Sequence, residues 1–261
     1  MYYLSVFPLL LLLVACRSNT NTSRTPAPLL LNDSISITAG QHTFNFLSKD
    51  SLPITGTLYH IAPDLPIILL CHQAGSSKDE YSTIAPRLNE LGYNCLAIDQ
   101  RSGGKKLGGN NPTAIAAQKA NKPTDYLSAE QDILAAIDTI CNLYHKSVVL
   151  LGSSYSASLA MKIGASSPKV KSVIAFSPGE YFSEQSDTYL SQYVRQLKKP
   201  LFITSSKSEA EACKTLFNFA SSRTKVQFIP SGEGIHGARA LWQQTPNHAE
   251  YWDALVDFLK M

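Results

Sequence analysis

From residue 43 onward, short unbroken apolar runs alternate with stretches in which apolar positions recur every three or four residues. The runs are Pro66–Cys71, Tyr93–Ile98, Ser147–Leu151, Val170–Phe176, Pro200–Thr204 and Lys225–Ile229. Taken together these largely unalternating apolar runs suit strands buried on both faces. Ahead of them, Thr43–Phe46 and Ile54–Tyr59 flank Lys49-Asp50-Ser51 and predict an antiparallel pair. The periodic stretches predict helices through Tyr81, Ile84, Ala85, Leu88 and Leu91, stopped by Gly92, and through Ile133, Ile137, Ile140, Cys141 and Tyr144. Ser128 and Gln131 have the spacing of a capping box for the second of these. Ala210, Cys213, Phe217 and Ala220 form a third stripe, and Trp252, Leu255, Phe258 and Leu259 a fourth. Strands alternating with helices predict an α/β domain: a mostly parallel eight-stranded sheet with helices on both faces and no large cap. Ligands then bind at the carboxyl ends of the strands.

The amino-terminal segment follows another pattern. Met1 to Ala15 holds no Lys, Arg, His, Asp or Glu, and its apolar core, Pro8 to Ala15, is too short to span a bilayer. Leu13-Val14-Ala15 followed by Cys16 resembles the lipobox of bacterial lipoprotein signals, although the usual basic n-region is missing. The expected organisation is a signal peptide over 1–15, a lipidated Cys16 with a polar tether over 16–40, and a folded domain over 41–261. Such a chain belongs in the bacterial cell envelope, held to a membrane by its lipid.

Composition narrows the function classes. With 44% hydrophobic and 16% charged residues the 261-residue chain is an ordinary globular protein. Its 23 basic and 20 acidic residues give a net charge of only +3 with no long like-charge run, which argues against a nucleic-acid partner. Besides Cys16, the cysteines Cys71, Cys95, Cys141 and Cys213 sit in strand-like or helical apolar patterns, where cysteine acts as a small buried hydrophobe. No essential disulfide is expected, and none has metal-ligand spacing.

The chemistry concentrates at Gly152-Ser153-Ser154-Tyr155-Ser156, between an apolar strand and a helical stretch. A nucleophile on a tight strand-to-helix turn needs small neighbours two residues to either side, and Gly152 and Ser156 supply them around Ser154. Ser153 and Ser156 are the alternatives to Ser154. A serine hydroxyl needs a base, and of the six histidines His236 follows the last strand between Gly234 and Gly237. The base needs a carboxylate, and Glu209, just after Pro200–Thr204, is the first candidate, with Glu180 and Glu211 behind it. An oxyanion hole needs two amide donors, assigned to the backbone N–H groups of Tyr155 and Gln73, with His72 shaping the turn. Asp99 and Arg101 read as an ion pair pinning a loop. Ser102–Tyr126 reads as solvated surface or a lid, and Tyr181 and Phe182 as walls of a substrate pocket.

His72-Gln73-Ala74-Gly75, Asp99 to Gly104, Gly152 to Ser156 and Ile235-His236-Gly237, in the order serine, acid, histidine, resemble the α/β-hydrolases, most nearly the dienelactone-hydrolase-like branch. Dienelactone hydrolases carry cysteine where this chain has Ser154, so the resemblance does not extend to their lactone substrate. It implies hydrolysis of an ester or related acyl bond of a small molecule, without metal or organic cofactor. The same residues suit a peptidase or an acyltransferase, and a binding lipoprotein without activity is the non-enzymatic alternative.

Overall fold

A computed structural model describes residues 37–261; the signal-peptide, Cys16 and most of the tether expectations lie outside those residues. The chain enters through two antiparallel strands, β1 (Gly40–Leu47) and β2 (Pro53–His60), joined across Lys49 to Ser51. It continues through β3 (Ile67–Cys71), β4 (Asn94–Ile98), β5 (Val148–Ser153), β6 (Val170–Phe176), β7 (Leu201–Thr204) and β8 (Lys225–Phe228). These form one eight-stranded sheet in the order β1-β2-β4-β3-β5-β6-β7-β8. β1 and β2 are antiparallel to their neighbours, and β4, β3, β5, β6, β7 and β8 run parallel. The sheet is open.

Unbroken apolar runs are what two packed faces require. Along β3, Leu69 and Cys71 join the core beneath helices α3 (Glu130–Tyr144), α4 (Tyr155–Ser166) and α6 (Ala210–Phe219). Ile68 and Leu70 point the other way, into a second core with α1 (Ile84–Glu90) and α7 (His248–Leu259). Each such buried Leu or Ile contributes roughly 1.5–3 kcal/mol. Two short helices, α2 (Pro112–Lys119) and α5 (Tyr189–Val194), sit in the connections after β4 and β6. The insert bearing α5 is too short to form a large cap. No described helix is long and apolar enough to cross a membrane.

Two local expectations fail for identifiable reasons. Ser128 does not cap α3: Asp125 takes both its N–H (2.9 Å) and its hydroxyl (2.6 Å), so the helix begins without a side-chain cap. Asp99 and Arg101 do not pair with each other. Asp99 accepts from the Lys78 ammonium (3.0 Å), whereas Arg101 turns into Asp132 and Asp50. The start of Ser102–Tyr126 is solvated at Lys105 to Gly108, as expected, but its backbone is tied down. Gly104 N–H donates to Ser76 O (2.8 Å), Lys106 N–H to Gly75 O (2.9 Å) and Asn111 Nδ2 to Ser76 O (3.1 Å), welding the segment onto the loop after β3.

Candidate active site

Ser154 stands where β5 passes into α4, with φ 61° and ψ −127°. A non-glycine residue held there stores about 1–3 kcal/mol of strain, which the surroundings must enforce. They do so on three sides. Ser154 N–H donates to Phe176 O (2.8 Å). A Cβ on Gly152 would lie 2.2 Å from Ser156 O, so only glycine fits two residues before the bend. Two residues after it, where glycine is usual, the Ser156 hydroxyl donates into His72 O (2.6 Å), which gives the extra atom a place. The helix beyond presents the Tyr155 N–H, which has no hydrogen-bond partner among the described residues and lies at the positive end of α4.

His236 lies in the loop between β8 and α7 and is half-buried. Its Nδ1 is 2.5 Å from Glu209 Oε1. The carboxylate's other oxygen, Oε2, accepts from Ser206 N–H (3.2 Å), Ser206 Oγ (2.8 Å) and Ser177 Oγ (2.9 Å). Ser206 and Glu209 make a reciprocal capping box, so the turn after β7 fixes the carboxylate before the imidazole meets it. Burial pushes Glu209 up, but hydrogen bonds from His236, Ser206 and Ser177 outweigh it and hold the pKa at about 2. The other candidate acids are engaged elsewhere. Glu180 accepts from Leu190 N (2.8 Å), Ser191 N (2.9 Å) and Ser191 Oγ (2.6 Å) at the start of α5, and Glu211 is exposed beside Lys214.

The loops bearing these residues are stitched together. Ser153 Oγ accepts from Ala238 N–H (2.9 Å), and Ser177 Oγ from Gly237 N–H (3.0 Å) while donating to Glu209. A Cβ at Gly237 would come 2.6 Å from Ser153 Oγ, so the histidine loop passes this close to the elbow only as glycine. Ser177, like Ser154, holds a positive φ, 54°. It is a joint the sequence reading missed: its place after a strand and before Pro178 was visible, its backbone conformation was not. Ser154 and His236 share no hydrogen bond among the described residues. The Ser154 hydroxyl lies against the Tyr181 phenol, whose pKa is raised by burial and eased back by that contact. Hydrogen bonds of this kind often tighten only once substrate is bound.

The oxyanion assignment needs a correction. Gln73 N–H donates to Glu80 Oε2 (2.9 Å) and so is already spent. The next amide, Ala74 N–H, has no partner among the described residues. His72 is structural, as expected: its Nε2 accepts from Gln100 N–H (2.9 Å), which leaves Nδ1 to donate to Gln73 O (2.8 Å). A cleft of about 380 Å³ is lined by Tyr126, Leu127, Tyr181, Phe182 and Gln185, among others; it does not include Ser154 or His236 and adjoins the elbow through Tyr126 and Tyr181. The Tyr126 ring stacks on Tyr155 at 4.5 Å. Phe182 touches the cavity, but its ring is 4% exposed and packs edge-on against Tyr189 at 5.8 Å, so it serves chiefly as core.

This architecture recurs in solved structures of low sequence identity. A Pyrococcus furiosus esterase superposes with a TM-score of 0.67 at 18% identity, over 85% of this chain and 92% of its own. A dienelactone hydrolase from Anabaena variabilis gives 0.63 at 15% identity, over 84% and 97%. The esterase domain of a Rhodothermus marinus protein gives 0.57 at 16%, over 84% and 98%. No curated protein matches the sequence. The family described as serine aminopeptidase, S33, matches residues 63–227. That match covers more than half of the chain, and the protein belongs to this family of α/β-hydrolases.

Proposed function

We propose that the protein is a serine hydrolase that cleaves an ester or related acyl bond of a small or medium substrate through an acyl-enzyme on Ser154. In this reading His236 Nε2 takes the Ser154 proton as Oγ attacks the carbonyl carbon, and Glu209 holds the ring with Nδ1–H facing the carboxylate. The N–H groups of Tyr155 and Ala74 receive the oxyanion, and His236 returns its proton to the leaving alcohol or amine. Water then repeats the sequence to free the acid. The observation that carries the reading is the contact of His236 with a carboxylate whose other oxygen is fully engaged, in a loop hydrogen-bonded to the residue before a strained serine. The 380 Å³ cavity, with Tyr126 and Tyr181 as walls, is at the small end of ligand sites and suits a compact acyl group.

Ser154→Ala tests this. Turnover of p-nitrophenyl butyrate should fall by about 10⁴-fold or more, and fluorophosphonate labelling should vanish while the melting temperature stays put. Undiminished turnover in that variant defeats the assignment. The family description favours a peptidase as the second reading; a panel of ester, thioester, amide and aminoacyl-anilide substrates separates the two, the preferred leaving group deciding. We further propose that the chain is anchored in the cell envelope through lipid on Cys16. Cys16→Ser should abolish metabolic labelling by a fatty-acid analogue, and retained labelling would refute the anchor.

A further inference from the structure

Glu80 is a carboxylate that the proposed mechanism does not use. It lies in a short helical turn, Lys78–Tyr81, with 1% of its surface exposed. An ionised group is costly to bury unless its partners are well placed, and the partners of Glu80 belong to three different parts of the site. Oε2 accepts from Gln73 N–H in the loop after β3 (2.9 Å), and Oε1 from Ser153 Oγ, next to the nucleophile (2.7 Å). The same Ser153 oxygen accepts from Ala238 N–H in the His236 loop (2.9 Å). The Glu80 backbone carbonyl accepts from Trp242 Nε1 (2.9 Å), farther along that loop. Burial raises its pKa, and the Gln73 and Ser153 donors and the Arg239 charge pull it back.

These contacts set a direction. Glu80 fixes the peptide unit before Gln73. The unit after it is fixed through its carbonyl, which accepts from His72 Nδ1–H (2.8 Å) and Ser76 N–H (3.2 Å). A peptide bond is planar and trans, so N–H and C=O point opposite ways. Anchoring Gln73 O on one side therefore aims Ala74 N–H to the other, with no partner of its own.

We propose that Glu80 is a positioning residue: by gripping Gln73 N–H and Ser153 Oγ it holds in place the loop after β3, on which the anchored Gln73 carbonyl aims the Ala74 amide as the second oxyanion donor, and it locks the nucleophile's turn to the histidine loop. This rests on the serine-hydrolase reading above. Glu80 touches neither substrate nor reacting atoms, so its removal should act on transition-state binding and spare substrate binding.

Steady-state kinetics with p-nitrophenyl butyrate and inhibition by phenylboronic acid, a tetrahedral-intermediate mimic, test it on the full chain. For Glu80→Ala, kcat should fall about 10²-fold, as for loss of one oxyanion donor. KM should stay close to wild type, and the boronate inhibition constant should rise in step with the fall in kcat. Glu80→Gln keeps an acceptor for Gln73 N–H and should recover most of that loss. Ser153→Ala, which cuts the link to Ala238 and keeps Gln73 tied, should fall between them. If Glu80→Ala lowers only the melting temperature and leaves kcat and boronate affinity intact, the proposal is wrong. Should that variant fail to fold, wild-type kcat and boronate affinity in both Glu80→Gln and Ser153→Ala overturn it equally. A wild-type chain that a fluorophosphonate does not label at Ser154 sinks the hydrolase reading instead, and this inference with it.

Discussion

Two carboxylate contacts in this molecule, one with a guanidinium and one with an imidazole, differ in how completely the nitrogen partner is saturated. Arg101 is fully buried; Asp132 holds it from Nη2 at 2.7 Å and from Nε at 3.1 Å, and Asp50 takes both Nη1 and Nη2 at 3.0 Å. The guanidinium beside Asp50 draws that carboxyl well below the usual range. Every edge of the guanidinium fork is engaged; Arg101 and Asp132 are wholly buried, and only the Asp50 side chain, 28% exposed, reaches solvent. In the second contact, His236 and Glu209 side chains are 34% and 32% exposed. Nδ1 is bound, while Nε2 has no protein partner among the described residues. A saturated pair can only hold elements together. A pair anchored at one end, with a titratable nitrogen left open at the other, can exchange a proton with a ligand.

Breaking each contact should therefore give opposite phenotypes. Glu209→Gln keeps the capping geometry, since glutamine also serves in that box, but no longer holds the imidazole tautomer; kcat should fall about 10⁴-fold, with a loss of stability smaller than that of the Arg101 variant. Arg101→Met should do the reverse. It leaves Asp132 buried without its partner, a loss of about 3–5 kcal/mol measurable by urea denaturation, while turnover per folded molecule changes far less than in the Glu209 variant. Arg101→Met with Asp132→Leu should regain much of that stability. If the Arg101 variant proves catalytically dead yet stable, the contrast between the two contacts is false.

How much of this was legible depended on how local the cause is. Val170–Phe176 was bounded as the structure has it, because burial on both faces writes itself as an unbroken run. The elbow was legible for the same reason, since Gly152, Ser154 and Ser156 answer to one turn. Partners distant in sequence were not. Asp132 lies 31 residues from Arg101 and Asp50 lies 51 away, and neighbouring Asp99 was the natural but wrong partner. That Gln73 N–H is engaged was not legible either, because its fate is decided by Glu80, seven positions on. Glu209 was singled out by its place after β7, and its capping box with Ser206, a readable S-x-x-E pattern, went unused while the weaker one at Ser128 was invoked.

A pH series extends the comparison to two histidines. Unlike His236, His72 is fully buried with both nitrogens engaged, and burial, helped by the charge of Lys78 and opposed by the Gln73 carbonyl, lowers its pKa from 6.5 to about 4. The unfolded chain thus takes up a proton that the folded one refuses. This stability is fully present above pH 6.5 and falls as pH drops toward about 4, by about 3 kcal/mol in all. His72→Gln should be less stable at neutral pH but lose less on acidification, so the gap between wild type and variant narrows from pH 7 to 4. A constant gap would mean that His72 accepts the proton in the folded state.

The smallest expected effect is the most pointed control on the acid. Glu180 accepts three hydrogen bonds at the start of α5, two from backbone N–H groups that would otherwise lack partners. That is the work of a cap, and Glu180→Gln, which keeps one acceptor oxygen and loses the charge, should cost about 1 kcal/mol of stability and leave kcat at the wild-type value. The carboxylate is in the loop after β6, where an acid serving His236 would have to reach across Ser177; instead Ser177 donates its hydroxyl to Glu209 and its carbonyl receives the Tyr181 phenol. Catalytic loss in Glu180→Gln, with Glu209→Gln active, would mean that the histidine loop rearranges to take its acid from the β6 side, and that the anchored end of the His236 pair was assigned to the wrong carboxylate.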